Sequence, residues 1–264
     1  IDEHYLKQIK TLENDEIKYT KTVTKHDRSE PPLTELPKLT VPSVWQRDIE
    51  NGIKIYGIEQ SELPVVNFNL TIAGGALLDA QGKQGTAYLM GQFLNEGTAN
   101  KTPQQLEQAI GLLGATINVS ANRESLRISG RTLAKNLEQT IALAREMLLE
   151  PRWDNAEFER LKATRLTRIK QAQGNASAIA ANAFSKIVYG KKHAASLPVG
   201  GIASSVQAIE LADLKAFYQA NITPKNAKFH LVGAVNEKQA VSTLAPFNKW
   251  QGNQVTLPVQ PKVS

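Results

Sequence analysis

From Asn51 onward the chain changes its hydrophobic period in pairs of segments, and that alternation limits its possible folds more than any other feature. Asn51-Gly52 is a strong turn signal, and Ile53, Ile55 and Tyr56 behind it read as a strand. Val65, Val66, Phe68, Leu70 and Ile72 form a second apolar run, stopped by Gly74-Gly75. The period then turns helical: from about Gly85 to Asn95, Ala87, Met90 and Leu94 share one face. Thr102-Pro103 opens the next helix, with proline at its tolerated first position, and Gly114 closes it. Thr116–Ala121 and Leu126–Gly130 follow as strands, joined as a hairpin through Asn122–Glu124. Leu137, Ile141, Ala144 and Leu148 mark a further helix that Pro151 ends, and Asp154 with Glu157 resembles a capping box that opens another. Beyond a glycine-rich loop at Gly200-Gly201, Ala212–Ala220 reads as helix and Lys228–Val232 as strand, and Asn236 caps a last helix running to Phe247. Strand pairs interleaved with helix pairs predict an α+β domain, a single sheet with helices packed on one face.

Proline sets the boundaries. Residues 1–45 are polar and include Pro31, Pro32, Pro37 and Pro42, too many for a helix or a central strand, and read as a linker from a preceding domain. Within them, Tyr5–Leu12 reads as the end of that domain's last helix. Residues 251–264, with Pro258 and Pro261, read as a linker towards a following domain. The remaining 46–250 is long enough for its own core. The chain opens on Ile1 with no charged-then-apolar leader, the pattern of a fragment or processed product.

Composition removes several functions. There is no cysteine, hence no disulfide, thiolate metal site or cysteine nucleophile. No apolar run is long enough to span a bilayer. The net charge of +6 would suit nucleic acid, but the basic residues are scattered and no recognition motif accompanies them.

One segment carries chemical information. The run Gly85-Thr86-Ala87-Tyr88-Leu89-Met90-Gly91-Gln92-Phe93-Leu94-Asn95-Glu96-Gly97-Thr98 resembles the zinc-binding segment of the M16 (insulinase, pitrilysin and processing-peptidase) metallopeptidases. There a Gly-x-Ala precedes the inverted motif H-x-x-E-H and a Gly-Thr follows it. Positions i, i+3 and i+4 share a helix face, so the two histidines hold zinc and the glutamate activates its water. Further similarities keep the family's order: Asn51-Gly52-Ile53-Lys54-Ile55, Gly74-Gly75, Gly114–Ser120, Gly190–His193 with Pro198-Val199-Gly200-Gly201, and Leu214–Gly233. Together they cover 46–235, and imply the LuxS/processing-peptidase-like fold.

The three motif positions are Tyr88, Gly91 and Gln92, and none supplies an imidazole or a carboxylate. The family's third ligand is a glutamate on the helix that here begins near Asp154, yet no Asp or Glu occurs from Leu161 through Ile209. The resemblance therefore implies no catalytic and no metal-binding residue here, and a domain from the inactive, C-terminal half of such an enzyme. This fragment itself would be inactive and need no cofactor, with zinc in the catalytic half of the parent protein. Its implied partners are that half, in the same chain or a partner subunit, and a peptide substrate, with no nucleic acid and no membrane span. The implied compartment is the bacterial periplasm. The strand Thr116–Ala121 is similar to the one lining the family's peptide cleft, which makes Thr116, Asn118 and Ser120 the candidate substrate-binding residues. The alternative is an M16-fold scaffold or peptide-binding protein without protease activity; an H-x-x-E-H elsewhere in the parent protein discriminates the two.

Other residues have simple readings. Tyr88 and Gln92 are either packing or solvated residues, or touch a partner half. Mid-helix Gly91 costs about 1 kcal/mol relative to alanine, which points to a close backbone neighbour. His193 reads as a loop histidine and His230, mid-strand, as half-buried and structural; His4 and His26 lie in the linker. Lys162, Arg165, Arg168, Lys170, Lys186, Lys191 and Lys192 form an acid-free basic stretch: a solvated helix face, or the lining of a cavity that attracts acidic peptides.

Overall fold

A computed structural model describes residues 22–27, 29–30, 40–190 and 193–262. Tyr5–Leu12, His4, most of the proline-rich segment, Lys191 and Lys192 lie outside them. The chain divides into two units between Val41 and Pro42, and every described strand and helix lies in the second.

Six strands form one mixed sheet: β1 (Trp45–Asp48), β2 (Lys54–Glu59), β3 (Val65–Ala73), β4 (Thr116–Ala121), β5 (Ser125–Leu133) and β6 (Ala227–Gly233). Their order is β1-β2-β6-β3-β5-β4, with β2 and β6 parallel and the other neighbours antiparallel. The parallel pair needs a long crossover, and the intervening helices supply it. Alternation assigns the faces. Along β6, Ala227, Phe229, Leu231 and Gly233 are buried while Lys228, His230 and Val232 are exposed, and β3 alternates in the same way. The buried face carries Ile55, Val66, Phe68, Leu70, Ile72, Leu126, Ile128 and Phe229. The other face is polar and uncovered among the described residues, with Lys54, Lys228, Arg127 and Arg131 on it.

The helices are α1 (Thr86–Phe93), α2 (Pro103–Leu112), α3 (Leu137–Leu149), α4 (Asn155–Ala172), α5 (Ala176–Tyr189), α6 (Ala203–Ala208), α7 (Leu211–Asn221) and α8 (Glu237–Leu244). None is long and apolar enough to cross a membrane. The caps read from sequence form: Thr102 and Gln105 make a reciprocal capping box, and Asn236 accepts from Gln239 N. At α4 only half of the expected box exists. Asp154 accepts from Ala156 N and Glu157 N, but the Glu157 carboxylate pairs with Arg160 instead of reaching back. Trp153, with φ of 53°, turns the chain into α4 and stacks on Phe93 of α1 at 5.6 Å. Helices α5 and α6 and strand β1 are not among the elements expected from the sequence. Residues 251–262 form no helix or strand and lie back along the domain: Asn226 bonds Val255 twice at 2.8 Å, and Gln260 accepts from Ala194 N.

Candidate functional site

Helix α1 is fastened at its entry. The Asp79 carboxylate accepts from Gly85 N at 2.7 Å and from Ala87 N at 2.8 Å, capping the first turn from outside the helix. Burial pushes this carboxyl up to about 6, against the downward pull of the two N–H donors. The Pro198–Gly201 loop presses on the same entry. Ser205 Oγ donates to the Gln84 carbonyl at 2.8 Å, and Gly201 has φ of +72° with its missing Cβ only 2.0 Å from that oxygen. No other residue fits there. Two glycine-bearing segments far apart in sequence thus meet at one corner.

Six of the eight residues of α1 are buried, leaving Tyr88 and Gln92 partly exposed. Gly91 faces the edge strand β4. An added Cβ would stand 2.7 Å from Ala121 N and 2.9 Å from the Ser120 carbonyl carbon, both main-chain atoms that cannot rotate away. The glycine permits the approach, as its mid-helix cost anticipates, and a glutamate has no room there. Asn95, one turn further, completes the contact. Its Nδ2 donates to Gly91 O and Val119 O, each at 2.9 Å, and its Oδ1 accepts from Val119 N at 2.9 Å. Nothing in the sequence singles out Asn95, because its partner is a strand 24 residues away.

Strand addition at β4 is limited by this arrangement. Val119 N–H and C=O point away from β5 and into Asn95, so by the two-residue period the backbone groups of Ile117 and Ala121 also point outward. Ala121 lies under Gly91, and the outward groups of Val119 are occupied. The Thr116, Asn118 and Ser120 side chains project instead onto the open face, opposite Arg131, Ser129 and Arg127 respectively.

Opposite Tyr88 stands α4, where the resemblance calls for a carboxylate. The structure places arginines there. The Arg165 guanidinium lies 5.0 Å from the centre of the Tyr88 ring, and Arg168 Nη1 donates to the Tyr88 hydroxyl at 3.5 Å. Arg165 Nε donates to Gly200 O at 2.7 Å, which ties α4 to the loop at the entry of α1. Burial is the main influence lowering the Arg165 pKa from its ordinary value. A phenol, a hydrogen and a carboxamide face two guanidinium groups, and this set does not fit zinc, which requires good anionic or imidazole donors. Among the described residues no three His, Asp or Glu side chains come together to hold a metal.

The histidines lie elsewhere. His193 Nδ1 accepts from Ala195 N at 3.0 Å and its ring stacks on Tyr189, so it caps a loop turn. His230 is exposed rather than half-buried, because the sheet face it shares with Tyr56 is uncovered; the two rings stack at 5.4 Å.

Known proteins share this architecture. The family description "Insulinase (Peptidase family M16)" matches residues 57–198, more than half of the chain. The crystal structure of an inactive peptidase M16 domain from Pseudomonas fluorescens superposes with a TM-score of 0.78 at 26% identity, over 84% of this chain and 54% of that one. The mitochondrial-processing peptidase subunit beta of Dictyostelium discoideum is 21% identical over 201 residues, 73% of this chain and 41% of the relative. The non-peptidase homolog YmxG of Helicobacter pylori is 26% identical over 157 residues, 60% of this chain and 36% of the relative. The chain thus spans about half the length of these relatives or less. With its fold, its ordered glycines and its altered motif helix, the chain belongs to the insulinase family, peptidase family M16.

Proposed function

We propose that this domain is a non-catalytic, chamber-forming and substrate-enclosing part of an M16-type zinc metalloendopeptidase whose zinc lies on another domain, in the same chain or in a partner subunit. The observation that carries this reading is the filled metal position: the family fold is kept, while Gly91 is pressed onto β4 and Arg165 and Arg168 stand where a ligand carboxylate would be needed. A domain that keeps its shape without metal chemistry serves through its surfaces. Thr116, Asn118 and Ser120 are its substrate-facing side chains on the open sheet face. The similarity to an inactive M16 domain supports the same view.

The test is to tag this chain in its own organism, purify the assembly, and measure zinc and hydrolysis of a fluorogenic peptide. Zinc-dependent hydrolysis that a chelator abolishes is expected, and no hydrolysis by the isolated domain. An assembly without peptidase activity would replace this reading with the M16-fold scaffold, the alternative favoured by the likeness to a non-peptidase homolog.

A further inference from the structure

Two parts of the acid-free stretch, residues 165–186 and 198–204, line one groove. Helices α4 and α5 are joined through Gln173–Asn175 and both line the groove, and the segment 198–204 forms its third side. The cavity between them has a volume of about 550 Å³. Ile169, Ile179 and Ile202 make it apolar, and Arg165, Arg168 and Lys186 stand around it. None of the three cations has a carboxylate partner among the described residues; every ion pair there lies elsewhere. Arg165 and Arg168 both approach Tyr88, so two like charges sit close together, an arrangement that a bound anion relieves.

We infer that this groove binds acidic peptide segments, with Arg168 and Lys186 receiving carboxylates while the isoleucines hold apolar side chains between them. This deepens the substrate-enclosing reading above and shares its premise that the domain holds peptide. Four features select the ligand. The guanidinium fork of Arg168, exposed and bonded only to the Tyr88 hydroxyl, suits a carboxylate. The isoleucines require an amphiphilic ligand, which a small inorganic anion is not. No aromatic side chain lines the groove, so it lacks the stacking platform used for single-stranded nucleic acid. The concave shape is also unsuited to a lipid surface, which an amphipathic helix meets with a convex face.

The experiment titrates the chain into a labelled peptide of alternating glutamate and leucine and reads fluorescence anisotropy, beside the same peptide with glutamine for glutamate. Saturable binding of the acidic peptide, weakened by salt and absent for the glutamine peptide, is expected. Arg168→Glu and Lys186→Glu should each weaken it on the order of tenfold, the loss of one charge-assisted contact. Lys170→Glu makes the same change in net charge from an exposed position that does not line the groove, and should weaken it less than about twofold, the effect of bulk charge alone. Equal losses in all three variants, equal affinity for the glutamine peptide, tighter binding of a single-stranded oligonucleotide, or no peptide binding would each overturn the inference. The peptidase assay on the whole assembly is independent of these outcomes, so failure of the groove and failure of the functional reading are told apart.

Discussion

Replacing Gly91 by alanine tests the central claim, that α1 rests on β4 through a backbone contact. Two effects oppose each other. Alanine is the better helix former by about 1 kcal/mol. Its methyl, however, would stand 2.7 Å from Ala121 N, whereas ordinary van der Waals contact begins at 3.4 Å. The helix must back away by roughly 0.7 Å, because the obstructing atoms are main chain and cannot rotate aside. That movement stretches the 2.9 Å bonds from Asn95 to Val119 beyond useful length and disturbs the buried Leu89, Met90 and Phe93. Overpacking of this kind costs about 1–3 kcal/mol, and each weakened hydrogen bond about 1 kcal/mol. The net expectation is a loss of about 1–3 kcal/mol, or roughly 3–10 °C in Tm for a domain of this size. Gly111→Ala is the matched control: it too lies in a helix, with nothing within 4 Å of the added carbon. It should gain about 0.5 kcal/mol. Urea unfolding of both variants is the assay. If Gly91→Ala is as stable as Gly111→Ala, α1 does not rest on β4 in the way described.

Asn95→Ala should cost about 1–2 kcal/mol by freeing Val119 N–H and C=O, and speed amide exchange at Val119; unchanged exchange there would show the pair is not formed. Asp79 has its carboxyl raised from 3.8 to about 6 in the folded state, so its stabilising contribution is complete below about pH 4 and is lost as pH rises through 6. The stability difference between the parent chain and Asp79→Asn should therefore move by about 2–3 kcal/mol against the parent between pH 4 and 7, and a constant difference in urea unfolding would refute this. The triple substitution Tyr88→His, Gly91→Glu and Gln92→His should destabilise the domain and create no tight zinc site, since Arg165 and Arg168 face it; stoichiometric zinc retained through dialysis would contradict that.

The hydrophobic periods and the local punctuation together determined the α+β class, the course of β2 to β6, and helices α1 to α4, α7 and α8, because these depend on near neighbours in the chain. Thr102, Asp154 and Asn236 cap their helices for the same reason. The altered motif was equally legible: Tyr88, Gly91 and Gln92 replace donors that zinc chemistry requires, and no acid occurs from Leu161 through Ile209. Helices α5 and α6 stayed hidden. Nearly every residue of α5 is exposed, including the apolar Ile179, Phe184 and Ile187, so this helix has no core-facing stripe of the kind that marks its neighbours. The exposure of His230 was hidden too, since a strand's alternation says which residues share a face but not whether that face is covered. Only tertiary structure decided that Gly91 touches β4, that Asn95 closes the Val119 edge, and that Arg165 and Arg168 stand over Tyr88. These contacts join residues 24 to 80 positions apart, and the packing of α1, α4 and β4 around one core, rather than any local preference of the chain, brings them together.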